Sequence, residues 1–158
     1  MYKPNLIKII GLDCDGTLTD GKINLGKDGE QFKSFDVKDG FGIVNLIQNG
    51  KIVVFISARK SPILEYRANE LGVKHCIQHA SDKVLEMQKI TSLYGVDFRD
   101  VCYMGDDIPD LPLITSVGLG AAPRNAHQKI LEQAKWVSAF DAGNGAVREL
   151  CDFILHGI

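Results

Sequence analysis

The chain predicts a doubly wound α/β fold with a mostly parallel sheet, and three observations carry that prediction. Short apolar runs alternate with amphipathic stretches of helical length. Glycines and prolines punctuate the joints between them. Acidic and hydroxyl residues cluster directly after the apolar runs, where buried strands break into loops.

Taken in order, the first strand is expected over 6–12 and the second over 52–56. Three more follow over 73–77, 101–104 and 117–119. Helices are expected over 40–48, 62–71, 83–93, 126–134 and 146–155. Ser61-Pro62 supplies an N-cap with proline at the first helical position, and Asn125 caps a later helix. Gly50, Gly72 and Gly95 stop the helices before them. One segment departs from the alternation. Residues 22–37, centred on Gly26-Lys27-Asp28-Gly29, predict a β-hairpin flap between the first strand and the first helix. No insertion is large enough for a separate cap, so residues 1–158 are expected to form one domain.

Composition narrows the function. The formal charge is −2, from 18 basic and 20 acidic residues without a block of either sign. Neither nucleic acid nor an anionic membrane is indicated as a partner. No signal-peptide pattern precedes the first strand and no apolar stretch could span a bilayer. The four scattered cysteines (Cys14, Cys76, Cys102, Cys151) fit reduced core positions, so a cytoplasmic location is expected.

The chemistry lies at the strand ends. Asp13 and Asp15 are one residue apart, so in extended chain both point into one pocket. Crowded carboxylates call for a cation or a shared proton, which suggests a magnesium-assisted site built on a nucleophilic aspartate. An acidic turn after a strand is the plainer reading of the octapeptide alone. The other loops add Ser57 after the second strand, Lys83 opening the third helix, and Asp106, Asp107 and Asp110 after the fourth strand. Together they supply what phosphoryl transfer needs: a nucleophile, a metal site, oxygen donors and an acid for the leaving group.

Asp13-x-Asp15-Gly16-Thr17, Ile56-Ser57, Lys83 and Gly105-Asp106-Asp107-x-x-Asp110 resemble, in order and spacing, the four motifs of haloacid dehalogenase-like phosphatases. The resemblance implies that Asp13 attacks phosphorus to form an aspartyl-phosphate. Asp15 then serves as acid and afterwards as base, while Ser57 and Lys83 hold the phosphoryl oxygens. It also implies Mg2+ on Asp13, the Asp15 carbonyl and Asp106, with Asp107 and Asp110 in support.

Further segments narrow the likeness: Asp20-Gly21, residues 35–43, Arg59 with Arg67, Gln78, and residues 143–149. They resemble the capless subfamily typified by 3-deoxy-D-manno-octulosonate 8-phosphate phosphatase. That subfamily implies an acidic sugar phosphate as substrate and a homotetramer in which neighbouring hairpins and tails cover the site. Arg59, Arg67 and Asp39 are then the expected substrate contacts, although both arginines also suit solvated helix faces. Two positions depart from the subfamily pattern: Ser57-Ala58-Arg59 replaces Thr-Gly-Arg, and Ala142-Gly143-Asn144-Gly145 replaces Gly-Gly-Arg-Gly. The expected reaction is hydrolysis of the octulosonate 8-phosphate in lipopolysaccharide synthesis. A nine-carbon keto-acid 9-phosphate is the alternative substrate, and a non-catalytic oligomerisation module the alternative class. A receiver domain fits less well, because it would carry its aspartate where this chain has Ser57. Cys14 is expected to be a core residue and not a nucleophile.

Overall fold

A computed structural model describes residues 4–157. Six parallel strands form the sheet: β1 (Ile9–Leu12), β4 (Ile52–Ile56), β5 (His75–Ile77), β6 (Val101–Met104), β7 (Leu119–Ala122) and β8 (Trp136–Val137). Their order across the sheet is β5-β4-β1-β6-β7-β8. The chain therefore runs outward from β1 through β4 and β5, then returns to the other side of β1 at β6. That reversal leaves a crevice at the carboxyl ends of β1 and β6, the place where open α/β sheets bind ligands. Apart from the sheet, β2 (Asn24–Gly26) and β3 (Gly29–Phe32) form the expected antiparallel hairpin.

Helices cover both faces, which is why the central strands are apolar throughout. Ile10 and Leu12 of β1 pack with α1 (Val37–Gln48), α2 (Pro62–Leu71) and α6 (Ala146–His156). Ile9 packs on the opposite face with α3 (Lys83–Tyr94), α4 (Leu111–Ser116) and α5 (Gln128–Gln133). Each fully buried Ile or Leu side chain contributes about 1.5–3 kcal/mol. Gly11 is required on that second face. A Cβ there would come within 2.7 Å of Met87 Cε and 2.8 Å of the Tyr103 ring, the side chain that reaches toward the site.

Several boundaries differ from the sequence reading. Pro4–Leu6 forms a short 3-10 turn, and regular pairing in β1 begins at Ile9. Helix α1 starts at Val37 because the Asp36 carboxylate caps Lys38 N and Asp39 N. The strand expected over 117–119 is shifted to Leu119–Ala122, since Val117 N–H still bonds back to Leu113 in α4. Helix α5 is capped by His127, which accepts from Lys129 N, while Asn125 Oδ1 accepts from Ala142 N. Neither α4 nor β8 was anticipated. At six and two residues, they are too short to show a period. Among the described residues, no helix is long and apolar enough to cross a membrane.

Candidate active site

The loop after β1 turns sharply into the crevice. Asp13 N–H donates to Met104 O at 3.0 Å, so the aspartate is aligned with the end of β6 before its side chain leaves the sheet. Gly16 has φ of 90°, and a Cβ there would collide with the Asp106 carboxylate. Glycine at this position lets the first and last acidic loops touch. Thr19 Oγ1 secures the turn by accepting from Gly16 N and Gly21 N at 3.3 and 3.2 Å.

Lys83, at the first turn of α3, ties the loops together. Its Nζ lies 2.6 Å from Asp13 Oδ1 and 2.6 Å from Asp110 Oδ1, and 3.1 Å from the Tyr103 hydroxyl. That hydroxyl donates to Asp110 Oδ1 at 2.6 Å. Asp110 Oδ2 accepts from Asp106 N and Asp107 N at 3.1 and 3.2 Å. Both Asp110 oxygens are thus engaged, and its role is to hold Lys83 and the Asp106–Asp107 backbone. The Asp107 carboxylate caps the following turn through Ile108 N.

Electrostatics bear on what this cluster can hold. Burial, with repulsion from Asp110, pushes the Asp13 carboxyl well above the usual carboxylate range despite Lys83. The same two causes push Asp106 up to about 6. Burial opposes the charge on Lys83, but Asp13 and Asp110 outweigh it and raise the ammonium. Oxygens of Asp13, Asp106 and Asp110 lie within 4.8 Å of one another. A hard divalent cation suits such a set of carboxylates and would relieve their repulsion. Since Asp110 is already saturated, Asp13 and Asp106 are the side chains left to face it.

A pocket of about 260 Å³ opens over this cluster, lined by Asp13, Asp15, Ser57, Arg59, Lys83 and Asp106 among others. Ser57 is buried at the end of β4, its backbone pinned by Ile77 O and Ala80 N and its hydroxyl accepting from Arg59 N at 3.2 Å. Asp15 Oδ1 meets Lys33 Nζ at 2.6 Å, and Asp15 Oδ2 faces Arg59 Nε at 3.8 Å.

This arrangement has relatives. A family model for haloacid dehalogenase-like hydrolases matches residues 76–150. A 3-deoxy-D-manno-octulosonate 8-phosphate phosphatase of Yersinia pestis is 40% identical over 149 residues, covering 94% of this chain and 80% of its own. The chain belongs to the haloacid dehalogenase-like hydrolases. The corresponding phosphatase of Escherichia coli K12 is 37% identical over 153 residues, covering 97% of this chain and 81% of its own. Among solved structures, the Moraxella catarrhalis enzyme superposes with a TM-score of 0.94 at 37% identity, covering 97% of this chain and 88% of that one. That crystal holds magnesium, phosphate and the octulosonate. A cobalt-bound Haemophilus influenzae phosphatase superposes equally well, at 35% identity over 98% of this chain and 90% of its own. A divalent-cation site at the Asp13, Asp106 and Asp110 cluster agrees with the magnesium and cobalt that two of these relatives hold.

Two expected substrate contacts of this hydrolase lie elsewhere. Arg67 pairs with Glu70 at 2.7 Å and covers the Phe35 ring at 5.4 Å. Asp39 is buried where α1 meets α6; its Oδ1 accepts from Arg148 N at 2.8 Å, and among the described residues Oδ2 has no partner. Neither lines the pocket over Asp13. Cys14 is buried as expected, and burial pushes its thiol well up, which removes it as a nucleophile. Sequence reasoning missed Tyr103 and Lys33. An interior strand hides the first, and the second meets Asp15 only through the fold of the hairpin.

Proposed function

We propose that this hydrolase removes the phosphate of 3-deoxy-D-manno-octulosonate 8-phosphate, serving lipopolysaccharide synthesis in the cytoplasm. One observation carries the reading. Asp13, Asp15, Ser57, Lys83 and Asp106 converge on one pocket at the β1–β6 crevice. They do so in a chain 40% identical to a phosphatase of that name.

In this reading an Asp13 carboxylate oxygen attacks phosphorus, forming the aspartyl-phosphate as the bond to the sugar oxygen breaks. Asp15 gives that oxygen a proton. Water then attacks the phosphoryl group, Asp15 takes the water's proton, and Asp13 is released with free phosphate. Ser57 and Lys83 donate to the phosphoryl oxygens, and Lys83 also keeps Asp13 oriented through its 2.6 Å bond. Magnesium, held by Asp13, Asp106 and the Asp15 carbonyl, would supply charge neutralisation for those oxygens. Arg59, about half-exposed at the rim, suits the sugar carboxylate, because a guanidinium matches that group.

A homotetramer belongs to the same proposal. Leu25 and Phe32 of the hairpin are 69% and 56% exposed, an apolar surface a neighbouring copy would cover. All four thiols are free, in keeping with a reducing compartment.

The deciding experiment is phosphate release from a panel of sugar phosphates with magnesium. The octulosonate 8-phosphate is expected to have the highest kcat/KM. Faster turnover of a nine-carbon 9-phosphate would reassign the substrate. Inertness toward every ester, 4-nitrophenyl phosphate included, would overturn the phosphatase reading.

A further inference from the structure

The hairpin enters the site through one buried ammonium. Lys33, just beyond β3, has a side chain only 2% exposed, and its Nζ lies 2.6 Å from Asp15 Oδ1 and 2.7 Å from Glu30 Oε1. Glu30 Oε2 in turn accepts from the Ser61 hydroxyl. Ser61 stands at the N-cap of α2, yet its side chain makes no cap bond. Serine at that place ordinarily accepts from the helix backbone. Here the hydroxyl is diverted to the hairpin, and Ser61 N–H donates to Gln78 Oε1. A chain of four side chains therefore runs from Asp15 through Lys33 and Glu30 to the start of α2.

The approach is one-sided. Asp15 and Arg59 line the pocket, whereas Lys33 and Glu30 do not. Asp15 Oδ1 is gripped from behind, and Oδ2 is left on the Arg59 side at 3.8 Å. A carboxyl can serve a leaving oxygen only with the free oxygen turned toward it.

We propose that Lys33 is a positioning residue for proton transfer by Asp15: it anchors Oδ1 so that Oδ2 faces the leaving group. The hairpin is then part of the catalytic machinery of its own subunit as well as a cover. The inference rests on the acid–base role given to Asp15 above. In the first half-reaction the proton passes from Asp15 Oδ2 to the ester oxygen as the P–O bond breaks. In the second, a proton of the attacking water returns to Oδ2 as its oxygen bonds phosphorus. Lys33 keeps its proton throughout.

A purely structural role for Lys33 predicts something different. Among the described residues the hairpin shares no strand pairing with the main sheet, and a lone two-stranded ribbon is marginal without docking. Loss of docking alone would depress small esters alike, since they offer a neighbouring subunit nothing to grip. Loss of a positioned acid depresses them according to how much their leaving group needs a proton.

The test is kcat/KM, which reports steps through formation of the aspartyl-phosphate, for a series of small phosphate esters, without a sugar-acid part, of increasing leaving-group pKa. Lys33→Met is expected to lower kcat/KM about 100-fold for alkyl esters and at most about threefold for 4-nitrophenyl phosphate. Lys33→Arg keeps the charge and should restore most of the loss. Glu30→Gln loosens the anchor from its far end and should show the same graded pattern more weakly, which carries the test if Lys33→Met does not fold. A loss independent of leaving group, or no loss, overturns the role of Lys33 while leaving the phosphatase reading intact. A wild-type protein inert toward every ester overturns both.

Discussion

Lys83 and Asp13 are 70 residues apart in the chain and 2.6 Å apart in space. The contact joins the first turn of α3 to the end of β1, and Asp110 completes it from the loop after β6. Three carboxylates share this one buried ammonium, counting Asp106 nearby. The imbalance is what a divalent cation corrects, and the first two predictions follow from it.

Asp13→Asn should abolish turnover, by more than about 10³-fold or about 4 kcal/mol of barrier, because an amide cannot attack phosphorus. Its oxygen can still accept from Lys83, so the fold should survive. Circular dichroism and thermal melts without metal should match wild type. Residual activity within tenfold of wild type would remove Asp13 as the nucleophile.

Magnesium should raise the melting temperature of the wild-type protein in the absence of any substrate. At 100 times its Kd, a ligand specific for the folded state stabilises by about 2.7 kcal/mol. Asp106→Asn should erase most of this shift, whereas Asp107→Asn should retain it, since Asp107 caps Ile108 N. Equal magnesium shifts in the two variants would displace the metal from Asp106.

Burial raises the Asp39 carboxyl to about 6, and among the described residues its Oδ2 has no partner. A folded-state value above the unfolded one means that Asp39 favours the fold at low pH. That contribution is complete below about pH 4 and is lost as pH rises through 6. A shift of roughly two units corresponds to about 3 kcal/mol. The stability of Asp39→Asn relative to wild type should therefore rise between pH 4 and pH 7 by an amount of that order. Urea denaturation at three pH values measures it, and a difference that stays flat would refute the assignment.

Much of this was legible in the sequence because burial on both faces writes central strands as unbroken apolar runs, as in Val53–Ile56. The site was legible for a related reason. Polar groups directly after such runs sit at the strand ends that open on the crevice, and Asp13, Ser57 and Asp106 line one pocket there. What stayed hidden depends on docking of whole elements. Asp39 and Arg67 are in helices, and only the way α1 meets α6 and α2 turns them away from the pocket. Lys33 reads as an ordinary charge in a hairpin until the hairpin folds onto Asp15.

Assembly is the last expectation, and the structure separates two segments that the sequence joined. Gly143 was expected to belong to a tail covering a neighbouring site. It packs instead against the motif loop of its own chain: its N–H donates to Thr17 O at 3.3 Å, and a Cβ would lie 2.6 Å from Thr19 C and Asp20 N. With φ of 67°, Gly143→Val is strained as well as crowded. It should lower thermal stability and depress sugar and aryl phosphates together. The hairpin differs, because its Leu25 and Phe32 project outward from a segment already anchored by Lys33 and Glu30. Replacing both with serine should leave the anchor in place and convert the proposed homotetramer to monomers in sedimentation velocity. The kcat/KM for the sugar phosphate should then fall about tenfold, with 4-nitrophenyl phosphate little affected, because in the proposed homotetramer a neighbour would grip only the non-reacting part of the substrate. A wild-type protein that is monomeric at assay concentration and fully active on the sugar phosphate would show that one subunit suffices.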